Sequence, residues 1–542
     1  MQQQNPTKSY RLLYIPIVLL FTLAFTDCAK KGNPSGGLRD TIAPVIVRNT
    51  PENFTTNFDS DEIRITFDEF IKLKDISKEL IISPPLKYAP VITPLSVSKQ
   101  LKVKLLDTLR ENTTYSFNFG NSIVDNNEGN VFPNFKYVMS TGSFIDSLTL
   151  KGTVIDALLP ETKFPTTVAL YEVDETYTDS IVFLEKPMYI STTFDESNTF
   201  EFTNLKEGTY QLIALQEENR NYTFQPKTDK IGFYKDLITL PTDSIFEVKL
   251  FTEIPDFKAT RPKLESKNRI AFGYEGVQEG YEILLQTKMD ADFEYQYLKE
   301  PGKDTLNFWF KPQVTKDSLV FITSYKKEIL DTATVRFREL FADSLVVSSI
   351  NTGSVSIKDT LQLKANTPLV NISEAQISIV DKDTLAVPFS TRINSKENAA
   401  ALIFDKQEEQ NYSITLLEGA LTDYFGNVSD STVVRQTIKT ASEYATLQLT
   451  LANANDFPLM VELINEKFEV AKQKYITQNE PVLFDYIKPG NYFIRLVFDK
   501  NKNKVWDPGH FLSKRAPEKV VYYPSKIELR ANWSWSETFT LN

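Results

Sequence analysis

The sequence predicts an all-β protein built from tandem antiparallel β-sandwich modules. Short runs such as Glu62–Phe67 and Leu447–Leu451 alternate apolar and polar residues, and a side-chain period of two is typical of half-buried antiparallel strands. The 38 Phe and 24 Tyr residues are strand-forming types. A segment around Gly208 also returns around Gly490, each copy being a glycine turn, an apolar strand and a polar loop ending in Asn-x-Asn. Such self-similarity indicates a duplicated module.

The first residues of the chain read as an export signal. Residues 1–27 carry a short positive flank and an apolar run, 12–25, which is shorter than the ~20 residues that span a bilayer and is typical of a signal peptide. The only cysteine, Cys28, follows directly. The segment Phe25–Cys28 resembles a bacterial lipoprotein signal, and this resemblance implies lipidation, including palmitate, at Cys28. An ordinary signal peptide followed by a free cysteine is the alternative.

Residues 28–40 are rich in Gly, Pro and charge, which predicts a flexible tether. We therefore expect a protein that is anchored to the outer membrane by lipid and does not span it. The face on which it stands is undetermined. Lys30 and Lys31 follow the cysteine, where the surface-export tag of the resembling bacterial group is acidic.

The first module is predicted at residues 41–143. Its motifs include Asp40–Pro44, Asn112–Gly120 and Asp125–Asn130. In this order they resemble the bacterial immunoglobulin-like domain of S-layer type found in Bacteroidetes outer-membrane lipoproteins. The resemblance implies a fold and a compartment but no activity.

Four further modules follow the first. Residues 147–252 and 443–542 hold the two copies of the repeat, and the stretch 199–210 in the first copy resembles prealbumin-like (carboxypeptidase-regulatory-like) β-sandwiches. Residues 346–441 end in motifs that echo the first module, which predicts a second Ig-like β-sandwich. Residues 255–345 show no sharp motif and are predicted to form a degenerate β-sandwich.

Composition argues against nucleic-acid binding and against catalysis. The net charge is −11. Binding to nucleic acid would require a block of basic residues, and the sequence contains none. His510 is the sole histidine, so the chain offers few residues for catalysis by a nucleophile and a base. Zinc sites of the His/Cys kind are excluded because the chain has too few of these ligands. A glycosidase needs two carboxylates in one cleft, whereas Asp68 and Glu69 on one strand point to opposite faces. We predict that the protein is not an enzyme and has no catalytic residue.

One loop resembles the opening of a calcium site. Asp499, Asn501, Asn503 and Asp507 place oxygen-bearing side chains at alternating positions. Three lysines lie among them, and the first copy of the repeat carries fewer carboxylates. Asx turns that close the loop without metal are the favoured alternative. Calcium is thus the one candidate cofactor.

Two aromatic clusters could stack on sugars. Trp533 and Trp535 alternate and are expected to share one strand face, and Phe308–Phe310 is a second candidate. Burial in a core is the default for aromatic residues at strand spacing. Glycan binding by Trp533 and Trp535 stays the minority interpretation.

Taken together, these patterns predict a non-catalytic, lipid-anchored outer-membrane scaffold for protein–protein interaction. Its expected partners are the membrane, through the N-terminal lipid, and outer-membrane proteins. The specific form of this hypothesis is an accessory subunit of an outer-membrane protein assembly or secretion complex. The alternative is a surface glycan-binding lipoprotein.

Overall fold

The computed structural model describes residues 40–162, 165–193 and 197–541. Within them the chain is almost entirely β-strand, and the strands form successive pairs of sheets. This confirms the all-β, tandem-sandwich prediction. The predicted signal peptide and the lipidation site Cys28 lie outside the described residues. In the described part of the chain, no helix is long and apolar enough to cross a membrane.

The first sandwich contains eight strands and the short helix α1, Ile76–Glu79. The strands are β1 Ile46–Thr50, β2 Glu62–Leu73, β3 Ile81–Ser83, β4 Val91–Thr93, β5 Ser98–Lys104, β6 Thr114–Asn118, β7 Ile123–Asp125 and β8 Lys136–Ser140. One sheet has the order β1-β2-β5-β4, with β7 also paired to β2, and the other has the order β3-β6-β8. Alternate residues of both sheets fill one apolar core.

The second sandwich contains eight strands and the short helix α2, Ile181–Leu184. The strands are β9 Leu148–Asp156, β10 Thr167–Glu172, β11 Tyr189–Thr192, β12 Thr199–Leu205, β13 Gly208–Gln216, β14 Lys230–Phe233, β15 Ile238–Leu240 and β16 Ile245–Leu250. The larger sheet has the order β11-β10-β13-β14, with β15 also on β13. The smaller sheet has the order β12-β9-β16, in which β16 runs parallel to β9.

The third sandwich is antiparallel throughout. Its strands are β17 Lys258–Ala259, β18 Lys263–Ser266, β19 Arg269–Glu275, β20 Tyr281–Leu285, β21 Glu294–Lys299, β22 Thr305–Lys311, β23 Ser318–Tyr325 and β24 Glu328–Arg336. One sheet has the order β17-β19-β22-β21, with β18 also on β19, and the other has the order β20-β23-β24. The core between them is rich in aromatic rings.

The fourth sandwich contains ten strands and one 3-10 turn, Glu374–Gln376. The strands are β25 Val347–Ile350, β26 Gly353–Val355, β27 Leu361–Ala365, β28 Leu369–Ile372, β29 Ile377–Val380, β30 Phe389–Asn394, β31 Ala399–Phe404, β32 Asn411–Leu416, β33 Leu421–Asp423 and β34 Thr432–Ile438. Its sheets have the orders β25-β27-β31-β30 and β26-β34-β32-β29, and β28 pairs with β33. A further 3-10 turn, Ala441–Glu443, leads out of it.

The fifth sandwich closes the chain. Its strands are β35 Ala445–Ala452, β36 Leu459–Asn465, β37 Val470–Ile476, β38 Val482–Ile487, β39 Gly490–Phe498, β40 Val520–Tyr522, β41 Ile527–Leu529 and β42 Ser534–Thr540. The sheets have the orders β37-β36-β39-β40, with β41 also on β39, and β38-β35-β42, with β42 parallel to β35. This strand order repeats that of the second sandwich.

Tyrosine hydroxyls mark the two recurring types of sandwich. In the first and fourth sandwiches, Tyr115 and Tyr412 accept a hydrogen bond from the backbone N–H five residues upstream, at 2.8 and 2.9 Å. This contact resembles the tyrosine corner of immunoglobulin-like folds. In the second and fifth, Tyr210 and Tyr492 donate to the carbonyl four residues upstream, at 2.9 and 2.7 Å. Sandwiches that share sequence motifs therefore also share individual tyrosine hydrogen bonds.

Candidate functional site

The larger sheet of the second sandwich is apolar on both faces. On β10 and β13, Val168 and Leu212 face the core, whereas Ala169 and Ile213 face away from it and are equally buried. A sheet face turned away from its own core is normally polar. Here it is covered in part by α2 and in part by a segment of the fifth sandwich.

That segment is the loop 499–519 between β39 and β40, termed here the docking loop. Its Phe511 is fully buried (0% exposed), with its ring centroid 5.5 Å from that of Phe233 in the second sandwich. Gly509 lies against Phe251, and a Cβ at position 509 would collide with that ring. The docking loop therefore places an aromatic side chain into the apolar face and needs glycine for the close approach.

Polar contacts surround this aromatic contact. Lys514 Nζ lies 2.7 Å from Asp179 Oδ1 and 3.1 Å from Gln211 Oε1. The backbone N–H of Phe511 donates to the carboxylate of Glu253. Burial raises the pKa of Glu253, and the hydrogen bond from Phe511 opposes part of that shift. The docking loop is thus fixed by charge-assisted bonds as well as by apolar burial.

A buried ion pair lies at the same junction. Arg495 Nε on β39 is 2.6 Å from Glu462 Oε2 on β36, and both side chains are 7% exposed. Arg495 Nη1 also donates to the carbonyl of Leu158 in the second sandwich at 3.2 Å, and the Tyr522 hydroxyl donates to it at 2.6 Å. Arg495 therefore serves two contacts: the ion pair within the fifth sandwich and the hydrogen bond to the second.

The contact closes a circuit of four sandwiches. Because the fifth sandwich contacts the second, the second to fifth sandwiches form a closed ring of contacts. Side-chain pairs join the intermediate neighbours, in chain order Lys227–Glu275, Trp309–Phe425 and Lys358–Asp485. The first sandwich attaches to the second through contacts such as the bond from the Ile190 N–H to Ser83 Oγ at 3.1 Å.

The four residues predicted as calcium ligands come together at the start of the docking loop. Asp499 accepts backbone N–H bonds from Asn503 at 3.1 Å and Lys504 at 2.9 Å. The side-chain amides of Asn501 and Asn503 donate to Asp507 Oδ2 at 2.6 and 2.8 Å. Among the described residues, no group of three His, Cys, Asp or Glu side chains could hold a metal. The hydrogen bonds favour the Asx-turn interpretation, and calcium binding stays a prediction to be tested.

A carboxylate that closes a loop by accepting backbone hydrogen bonds recurs in four of the sandwiches. A carboxylate at the end of a strand accepts backbone N–H bonds from the loop that follows it, in the series Asp125, Glu217, Asp423 and Asp499. Asp125 accepts three, at 2.6 to 3.1 Å. Burial raises the pKa of Asp125, but the backbone donors outweigh it and bring the pKa below its ordinary value. These acidic loops are explained by backbone closure.

The predicted sugar platform lies at the start of the edge strand β42. The Trp533 and Trp535 rings stack with their centroids 6.0 Å apart and an interplanar angle of 6°, so they share one face as the alternation predicts. Trp533 is 45% exposed, with the Arg530 guanidinium 5.2 Å from its ring. Trp535 packs against the fifth core and donates to Glu537 at 2.6 Å. The default expectation of burial is therefore wrong for Trp533, and glycan binding stays a prediction.

The second aromatic candidate is a core element. Phe308, Trp309 and Phe310 are at most 1% exposed, so the alternative that they form a sugar platform is wrong. Phe308 and Phe310 fill the third core. Trp309 faces the other way, and its ring lies 5.9 Å from that of Phe425 in the fourth sandwich. The third core therefore covers one face of β22, and the fourth sandwich covers part of the other.

His510 belongs to the docking loop. Its Nδ1 lies 3.0 Å from Ser513 Oγ and accepts the Ser513 N–H at 3.2 Å, while its backbone pairs with Arg515. These contacts close the turn that carries Phe511. That His510 has no catalytic role stays a prediction.

Sequence reasoning missed the junction between the second and fifth sandwiches. One signal was present: Trp506 and Phe511 are large aromatic residues in an otherwise polar loop. Another was the apolar run in each of β10, β13, β36 and β39, since antiparallel strands with one solvated face alternate apolar and polar residues instead.

Comparison with known families supports the first sandwich directly. Residues 40–141 match the Bacterial Ig-like domain, which confirms the immunoglobulin-like prediction for this part of the chain. A comparison with curated proteins gave no match.

Comparison with solved structures finds chains of low sequence identity to this one. Surface layer protein SbsC, domains 1-6, is 12% identical over 90% of this chain and 67% of that chain, with a TM-score of 0.16. The Bacteroides ovatus mixed-linkage glucan utilization locus protein SGBP-B, solved with a mixed-linkage heptasaccharide, is 12% identical over 71% of this chain and 91% of that chain, with a TM-score of 0.19. The Bacillus anthracis TIE protein is 10% identical over 99% of this chain and 79% of that chain, with a TM-score of 0.15. TM-scores of this size support no conclusion about arrangement or function.

Proposed function

We propose that the chain is a non-catalytic, lipid-anchored scaffold at the outer membrane that holds protein partners. The observation that carries this proposal is the closed circuit of sandwiches, in which Phe511 of the fifth is buried against the second. An accessory subunit of an outer-membrane protein assembly or secretion complex is the specific role that we favour.

Closure matters because tandem domains joined by single connections move relative to one another by default. A buried aromatic ring and a buried ion pair at the junction hold the second and fifth sandwiches at one distance. Loops and strand edges on such a body keep a fixed spacing, which reduces the ordering cost when partners bind. This is the physical advantage of a scaffold over a flexible string of modules.

The lipid anchor is tested at Cys28. Metabolic labelling with a palmitate analogue should mark the wild-type chain and leave Cys28→Ser unlabelled and released from membranes. An unlabelled wild-type chain would remove the anchoring part of the proposal. Protease treatment of intact cells then separates a surface position from a periplasmic one.

The scaffold role is tested by crosslinking in cells followed by affinity purification from membranes. We expect reproducible outer-membrane protein partners with the wild-type chain and a reduced yield with Phe511→Ala, which opens the circuit. Phe341→Ala is the matched control, because Phe341 is 94% exposed and lies outside the junction. Recovery of the wild-type protein alone would contradict the proposal.

A surface glycan-binding lipoprotein is the second candidate, favoured by the stacked and partly exposed rings of Trp533 and Trp535. The exposed part of the Trp533 ring offers an apolar surface to the C–H face of a sugar. Binding on a glycan array that disappears with Trp533→Ala and persists with Phe341→Ala would support it. An array with no signal for the wild-type chain would remove it.

A further inference from the structure

The third sandwich is open along one side. Residues 257–265 and 330–336, together with Thr323 and Arg338, line two adjoining cavities of about 540 and 610 Å³, which together form one cleft between its two sheets. Strands β17 and β18 on one side pair only with β19, and β24 on the other pairs only with β23. Both sheets therefore present an edge to the cleft that no strand occupies.

The floor of the cleft is apolar and its rim is polar. Ala333 and Val335 of β24 and Leu264 of β18 point inward and are buried. Thr332 and Thr334 alternate with them and are exposed. Free edge strands usually invite pairing with another chain, because their outer N–H and C=O groups lack a partner strand. An extended segment could therefore pair with the free edge of β24.

The charges along the rim differ from those of the chain as a whole. The net charge of the chain is −11, yet the cleft lining includes the cations Lys258, Arg261, Lys263, Arg336 and Arg338 and the carboxylates Glu265 and Asp331. The four cations nearest the second cavity, Arg261, Lys263, Arg336 and Arg338, are exposed. In the part of the chain that the structure describes, none of these four belongs to an ion pair.

We propose that this cleft binds an extended acidic segment of a partner protein, which adds as a strand to the free edge of β24. Cations on an edge strand discourage pairing with a neutral strand or with a second copy of the same edge. An acidic strand removes that penalty and is attracted electrostatically. The inference rests on the proposed scaffold function and names the chemistry of one partner.

The cleft can accept about seven residues of an added strand, because the lining residues of β24 span seven positions, 330–336, and paired strands share the same rise of about 3.3 Å per residue. A suitable probe is a fluorescent, end-capped decapeptide of alternating Glu and Val. Binding to the full chain is measured by fluorescence anisotropy at low and high salt. Two comparison peptides are an alternating Lys–Val decapeptide and a Glu–Val peptide with two Val residues changed to Pro, which keeps the charge but cannot donate to a ladder.

We expect the Glu–Val peptide to bind and the affinity to fall at high salt. Arg261→Glu combined with Arg336→Glu should weaken binding about tenfold or more, since two favourable charge contacts become unfavourable. Arg435→Glu, on an exposed site of β34, is the matched control and should leave it unchanged. The Lys–Val and Pro-containing peptides should not bind.

Several results would overturn this inference. The first is that the Glu–Val peptide does not bind, and the second is that the Pro-containing peptide binds as tightly as the Glu–Val peptide. The third is that the double charge reversal leaves binding unchanged. Tighter binding of polygalacturonate than of the peptide would assign the cleft to an acidic polysaccharide instead. Because the assay uses purified chain, its failure is separable from a failure to recover membrane partners by crosslinking.

Discussion

Phe511→Ala tests whether the docking loop holds the second and fifth sandwiches together. The ring is fully buried among side chains of the second sandwich, and removing a buried Phe side chain costs about 3–5 kcal/mol. Both sandwiches keep their own cores, so the loss should fall on the junction and leave each sandwich folded.

A multidomain chain does not unfold in a two-state transition, so the assay must report local opening. Amide hydrogen exchange of residues 506–519, followed by mass spectrometry, measures this directly. Since about 1.4 kcal/mol corresponds to a factor of ten, a loss of about 3–5 kcal/mol raises exchange about 100- to 4,000-fold. Phe341→Ala, which changes a 94% exposed side chain, should leave exchange in this segment unaltered.

Two results would refute this reasoning. A rise of less than about tenfold in the docking loop would mean that burial of Phe511 contributes little to the junction. A similar rise across all five sandwiches would mean that the loss acts on general folding. Either outcome would also remove the closed circuit as the basis for a rigid scaffold.

Three further predictions follow from other contacts. Arg495→Met should destabilise the fifth sandwich by about 3–5 kcal/mol, because it leaves the carboxylate of Glu462 buried without its partner; faster amide hydrogen exchange in β36 and β39 measures this loss, and recovery in the double variant with Glu462→Leu is the check. The folded pKa of Asp125 lies below its ordinary 3.8, so its stabilisation is present above that value and is lost as pH falls through the lowered pKa; Asp125→Asn should flatten the acid-induced loss of amide protection in the first sandwich, measured by hydrogen exchange from neutral to acid pH after correction for the intrinsic exchange rate. Asp499→Ala should cost about 1–3 kcal/mol by releasing two backbone N–H groups, which is measured as faster amide exchange in the docking loop, with calcium leaving exchange of the wild-type loop unchanged; a calcium-dependent slowing that the variant abolishes would establish a metal site instead.

The sequence predicted the strands well because local patterns determine them. Leu447, Leu449 and Leu451 alternate with polar residues, and they form the inward face of β35. The duplicated segment predicted that the second and last modules are of one type, and their sheets share one strand order. The acidic loops were also interpretable, since Asp and Asn after a strand favour closure of the backbone by their own side chains.

The candidate sites were less accessible to this kind of reasoning. Alternation placed Trp533 and Trp535 on one face but could not decide how much of each ring is covered. It also left Phe308–Phe310 open as a platform, although Trp309 is buried by a neighbouring sandwich. Burial from outside a module depends on residues more than a hundred positions away, which no local period contains.

By itself the sequence determined the β class, the repeated module type and the backbone closure of the acidic loops, because these depend on side-chain periodicity and on neighbours within a few residues. Only the tertiary structure decided that Phe511 meets Phe233 and that Arg495 reaches Leu158. Likewise, only the three-dimensional arrangement assembled the cations of the third sandwich along one open cleft. These contacts join segments far apart in sequence, and the packing of whole sandwiches brings them together.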